Sequence, residues 1–442
     1  MALYAILAIL FALVHLLIKV RRVGLVNPDV IFVIFQLLMC LGTFYLVDAD
    51  ERVDVRYALI LLVFFGTYVI SSLFAGMIFR TGGASVRLQT EVRLSRPTPG
   101  PAAWLAISVL VSVAYFYFVG YNTFLIGITS VLSGDDAEVD IATLRLESYA
   151  GTRYLFPGYV NQFKNILVPC LSVVIIHWCY SKRLPYRNMI ATILGAVAAL
   201  LVLGTGQRGA FVVASLIVAC YVLVATRIKL PSAIIGSIVL ALPLLLVSTL
   251  SNQRSSSEST GWGGQLGSAL SQLSARVFLD NQESGIRAFR YIDSLATQHG
   301  AEWGRSLIGL LPGVSGSTLS SEVFALIYGS DRGTSPPSLV GSVYHNFGLI
   351  GVIVGAALLS ASFCGLGAFM AARSEITTVG MVGIAGVSVI CGSWIAGGPD
   401  YLLNSGLVPC MIMMLIGSKS RNSIISSMGA SIPAQPLKSL PG

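Results

Sequence analysis

The sequence predicts an all-α, polytopic integral membrane protein, and three observations carry that reading. Of 442 residues, 55% are hydrophobic and only 11% are charged, with a mean hydropathy of +0.80, whereas a soluble domain has about 25% charged residues. Apolar runs of about 20 residues, the length that crosses a bilayer core, recur along the chain. The positive charges collect in every second short connection between those runs.

The runs place about eleven spans at roughly 2–20, 28–47, 57–78, 102–127, 163–181, 188–206, 209–226, 231–251, 339–371, 377–397 and 403–418. The range is about 11–13, and the long stretch 339–371 is one that could divide. The chain thus falls into a first membrane block (1–251), a large polar and partly helical loop (252–338), a second membrane block (339–418) and a tail (419–442). The tail is rich in Ser, Pro and Gly and is expected to be disordered.

Charge gives an orientation. Lys19, Arg21 and Arg22, then Arg80 to Arg96, Lys182 to Arg187, Arg227 and Lys229, Arg373, and Lys419 and Arg421 mark the cytoplasmic connections. The alternating connections at 48–56 and 128–162 are acidic, with Asp48, Asp50, Glu51 and Asp54 in one and Asp135, Asp136, Glu138 and Asp140 in the other. These face outward with the large loop, so the N-terminus is expected outside and the C-terminus inside. The leading segment carries its charges after the apolar run, the wrong order for a cleaved signal peptide, and reads as the first span.

Several function classes lose support. The net charge of +8 is explained by orientation in the membrane, not by nucleic acid. The seven cysteines lie in apolar segments without CxxC spacing, which points away from disulfides and metal. There is no HExxH, GxSxG or Walker-type loop, so no cofactor and no metal is expected. No internal repeat or matched pair of broken helices marks a transporter.

The residues that could do chemistry gather toward the outer side. Six arginines (Arg254, Arg276, Arg287, Arg290, Arg305, Arg332) and no lysine lie in the loop. Guanidinium presents a fixed fork of donors suited to phosphate or sugar. Arg208 sits in GTGQRGAF, a Gly-rich reversal between two spans, where a cation at the membrane edge either serves a site or snorkels to the headgroups. LRLESYAGTRYLFPGY (144–159) adds Arg145 and Arg153 among Tyr149, Tyr154 and Tyr159, either an aromatic belt or a sugar-stacking surface. The stretch 280–296 reads as a helix opened by Asp280 and Glu283, with Ile286, Phe289 and Ile292 on one face and Arg287 beside Arg290. The stretch 306–316 is apolar enough to dip toward the membrane. His345, with Tyr344 and Asn346 beside it, enters the next span and can accept a proton near neutral pH. His15 and His177 read as packing residues inside spans.

These motifs, in this order, resemble the O-antigen and oligosaccharide repeat-unit polymerases of the Wzy type. The likeness rests on LRLESYAGTRYLFPGY, on GTGQRGAF and on PPSLVGSVYHNFGLIGVIVG. It implies a GT-C-like, metal-independent membrane glycosyltransferase in the bacterial inner membrane. Its substrates would be undecaprenyl-diphosphate-linked oligosaccharides, the growing chain being transferred at the periplasmic face to the incoming unit's non-reducing-end hydroxyl. It also implies a chain-length regulator and a flippase as pathway partners, and lipopolysaccharide as the product's destination.

On that footing Arg208 and Arg287 are expected to act on the departing diphosphate, with Arg254, Arg276, Arg145 and Arg332 as further substrate contacts. His345 is the expected base, and Tyr344 and Asn346 beside it are expected substrate contacts. The chain has Ser342 where relatives often carry a glutamate, and Leu311, Pro312 and Gly313 where many place an arginine after the proline. The His345–Asn346 pair is also similar to the O-antigen ligases, so a ligase acting on lipid A core is the alternative, with a lipid-linked oligosaccharide transporter behind it.

Overall fold

A computed structural model describes residues 1–79, 99–133, 159–226, 281–311, 313–329 and 333–420, with a few isolated positions between them. The chain is mostly helical, and seven of its described helices are long and apolar enough to cross a membrane. It is a polytopic membrane protein.

The first membrane block contains α1 (Ala2–Val23), α2 (Pro28–Leu46) and α3 (Arg52–Ile78), joined by short turns. A two-residue strand β1 (Val92–Arg93) precedes α4 (Pro99–Val119) and α5 (Thr123–Ser133). Then come α6 (Tyr159–Ser181), α7 (Arg187–Leu203) and α8 (Arg208–Ala225). The loop contributes α9 (Asn281–Ile292), α10 (Ala301–Ile308) and α11 (Leu319–Tyr328). The second block holds α12 (Leu339–Ala371), β2 (Arg373–Thr377), α13 (Thr378–Gly392), α14 (Pro399–Asn404), α15 (Leu407–Ile416) and β3 (Ser418–Ser420).

The expected spans differ from these helices in ways that have local causes. The stretch 102–127 is two helices, because Gly120 adopts φ 89° and breaks the hydrogen-bonded ladder. The stretch 339–371 stays one element but kinks at Gly348, whose φ 64° and ψ −162° lie in a region open only to glycine. Among the described residues, α7, α11, α13 and α15 are apolar but shorter than a full crossing. The expected span at 231–251 and the tail beyond Ser420 lie outside the described residues.

A small sheet was not legible in an all-α reading. β2 pairs in parallel with β1 and antiparallel with β3, so that Val92 faces Ile376 and Arg373 faces Ser420. The connections carrying Arg93, Arg373 and Lys419 therefore meet at one end of the bundle. The loop helices meet the opposite end, where α9 packs on the starts of α3 and α12 through Tyr57, Phe289 and Tyr344. We call these the sheet end and the loop end.

A charged knot ties four helices together toward the sheet end. Asp29, on the first turn of α2, is buried and meets Lys19 Nζ at 3.0 Å and His15 Nε2 at 3.2 Å from α1. Tyr68 and Ser72 of α3 donate hydroxyls to it at 2.9 Å, and Lys19 also reaches the Ser72 carbonyl and Cys364 Sγ on α12. His15 is thus more than the packing residue its position implied. Hydrogen bonds from every side let a carboxylate persist where water is absent.

Candidate functional site

The loop end assembles around the first two turns of α12. Ser338, held at φ 66°, caps the helix by accepting from Gly341 N at 3.0 Å, and its hydroxyl meets Tyr57 Oη at 2.9 Å. Above this, α9 buries Ile286, Phe289 and Ile292, as its spacing predicts. Its Arg290 clamps Asp54 of α3 with Nε and Nη2, both at 2.7 Å. That hydrogen-bonded carboxylate holds the guanidinium still further above its ordinary pKa. Arg287, by contrast, is half exposed and pairs along its own helix with Glu283 at 2.6 Å.

Tyr344, His345 and Asn346 then diverge. The Tyr344 hydroxyl takes a hydrogen bond from Arg56 Nη2 at 2.8 Å and lies 3.2 Å from Asp293, which pairs with Arg56 at 3.0 Å. His345 is buried at 5% exposure. Its carbonyl accepts from Gln298 N, and its Nδ1 has no hydrogen-bond partner among the described residues. Asn346 is fully buried and donates to Glu302 Oε2 at 2.8 Å and to the Ser342 carbonyl at 2.9 Å, while its Oδ1 accepts from Trp303 N. Trp303 Nε1 completes the group by donating to Ser342 Oγ at 2.8 Å.

Beside this network lies a polar cleft of about 160 Å³, walled by Glu302 and Ser306 of α10, Ser317, Ser342 of α12, and Asp400 and Asn404 of α14. Pockets for drug-sized ligands run to about 300–1,000 Å³, so this one suits a single ring or small group. The stretch after Ser306 carries Leu307, Ile308, Leu311 and Val314 exposed, which gives the apolar surface expected of a segment that dips into lipid.

A second polar group surrounds Arg208. The helix α7 ends at Leu203, Gly206 turns back with φ 71°, and Arg208 opens α8 with only 8% exposure. The Gly204 carbonyl accepts from Thr123 N, docking the reversal on the break between α4 and α5. Lys164, fully buried, donates to Thr205 Oγ1 at 3.1 Å and to Asn165 Oδ1 at 2.9 Å. It has no carboxylate partner among the described residues. Lys164 belongs to a π-helical turn, Gln162–Leu167, that closes just before Pro169. Proline brings no N–H to the Asn165 carbonyl, which is the local reason for the wider turn.

The first turns of α6 connect the two groups. Tyr159 Oη donates to the Leu310 carbonyl at the cleft wall, and Ile166 packs on Gly406, two residues beyond Asn404. Tyr159, from the aromatic segment singled out in the sequence, is therefore at the loop end. Arg145, Arg254, Arg276 and Arg332 lie outside the described residues. Sequence reasoning missed Glu302, Ser342's partner Trp303, and Lys164; only Lys164 had a signal, a lone cation within an apolar span. No group of His, Cys, Asp and Glu among the described residues is arranged to hold a metal ion. Set against known families, curated proteins and solved structures, the chain finds no match.

Proposed function

We propose that the protein is a polysaccharide polymerase of the bacterial inner membrane, a metal-independent glycosyltransferase. It joins undecaprenyl-diphosphate-linked repeat units at the periplasmic face. The observation that carries this reading is the pair of buried cations, Arg208 and Lys164, at a membrane-edge turn linked through α6 to a polar cleft. Lys164, buried with no carboxylate partner among the described residues, favours an anionic ligand, and a lipid diphosphate brings such a charge to that depth. The gathering of the Arg93, Arg373 and Lys419 connections at the sheet end supports placing the loop end outside.

In this reading Arg208 and Lys164 neutralise charge as the sugar–diphosphate bond breaks, a preorganised electrostatic stabilisation. Arg254, Arg276, Arg145 and Arg332 are further contacts, with Arg287 free to leave Glu283 for a phosphate. Tyr344 and Asn346 hold the start of α12 in shape. The pathway's chain-length regulator and flippase are its expected partners.

The test is glycan length in cells lacking the chromosomal copy. Arg208→Ala and Lys164→Met, expressed at the wild-type level, should each leave one repeat unit on the lipid A core. Long chains from both variants would remove the clamp. A bare core in the deletion strain would instead identify a ligase.

A further inference from the structure

The structure assigns a carboxylate to the cleft that the sequence reading did not: we infer that Glu302 takes the proton from the acceptor hydroxyl, with the acceptor's terminal sugar ring seated in the cleft beside it. This rests on the polymerase reading and names the group that activates its second substrate. Glu302 is only 6% exposed, yet its side chain forms part of the cleft wall. Its Oε2 is held by Asn346 Nδ2 at 2.8 Å, and its Oε1 has no donor among the described residues. A carboxylate fixed by one oxygen and open at the other is oriented to accept a proton.

The neighbouring groups fit a sugar. Ser306, Ser317, Ser342 and Asn404 offer hydroxyl and amide partners around a space sized for a single ring. His345, the residue expected in this role, is equally buried but is not among the cleft walls. Asp400 and Tyr401 line the same cleft as Glu302, and His345 is close enough to feel Glu302, Arg305 and Glu322. Ser342 is linked to Glu302 through Asn346 and Trp303, so α10 and α12 present their polar groups to the same cleft.

The step balances without a co-reactant. The acceptor oxygen forms a bond to the donor's anomeric carbon as its proton passes to Glu302 Oε1. The bond from that carbon to the diphosphate breaks, and the electron pair leaves with undecaprenyl diphosphate. Glu302 then releases its proton to water.

The experiment uses the full-length protein in proteoliposomes with lipid-linked repeat units, following chain growth by gel. Glu302→Gln keeps the bond from Asn346 and should lower kcat by about 100-fold or more, with the donor KM unchanged. Glu302→Asp should recover part of the rate. Polymer formed by Glu302→Gln at the wild-type rate would overturn the assignment while leaving the polymerase reading intact. Absence of polymer with the wild-type protein would overturn both. A His345→Ala loss as deep as that of Glu302→Gln, with Glu302→Asp no better than Gln, would return the role to His345.

Discussion

Arg290 of the loop helix grips Asp54 of the membrane bundle with two parallel hydrogen bonds, each 2.7 Å long. The bond spans 236 positions of sequence and ties a loop helix to the first turn of α3. Asp54 is buried at 1% exposure while the guanidinium is half in solvent.

Removing the arginine therefore leaves a buried carboxylate with lost donors. For a fully buried pair the cost is about 3–5 kcal/mol, and the exposure of Arg290 reduces it to about 2 kcal/mol. Arg290→Ala should lower the midpoint of thermal unfolding in detergent, and Asp54→Asn combined with Arg290→Ala should recover part of it. An unchanged midpoint for the single variant would show that the clamp contributes nothing.

The knot around Asp29 predicts a larger asymmetry. Asp29→Asn leaves Lys19 in an apolar interior with neutral partners, at about 3–5 kcal/mol. Lys19→Met with Asp29→Leu removes both charges and should cost far less. The yield of folded protein after detergent extraction, together with its unfolding midpoint, measures both. Equal losses in the two variants would mean that the hydrogen bonds from Tyr68 and Ser72, not the charge pair, carry the contribution.

Gly348 gives a test free of crowding. A Cβ at this position meets no atom within 4 Å, so any cost of Gly348→Ala comes from its backbone angles. A residue forced into that region costs about 1–3 kcal/mol. The expected result is a lower unfolding midpoint together with reduced polymerisation, because straightening the kink swings Ser342, His345 and Asn346 relative to the long arm of α12. Full activity with an unchanged midpoint would show that the kink is dispensable.

The sequence disclosed what is local and periodic. Spans such as 2–20 and 28–47 match α1 and α2 to within a few residues, because length and hydropathy alone define a crossing. The apolar face of α9 was legible at Ile286, Phe289 and Ile292 for the same reason. The break at Gly120 was not, since nothing in an apolar run weighs one glycine against twenty good formers. The site was harder still. Asp29 draws its partners from positions 14, 39 and 43 residues away, and Asn346 reaches Glu302 across 44. Such pairings depend on which helices become neighbours, and no spacing rule carries that information. His345 stood out because of its residue type, whereas nothing in the spacing around Glu302 sets it apart from the other acids of the chain.

The three-stranded sheet has a consequence for how the molecule can be addressed experimentally. It ties the segment before α4, the α12–α13 connection and the end of α15 into one patch, so these three points share a compartment. A reporter fused after Ser420 and an accessible cysteine placed at Arg373 should respond to the same impermeant reagent, and in the proposed topology a label beside Arg290 should respond to the opposite one. Three short strands thus turn a question about many crossings into a question about two sides.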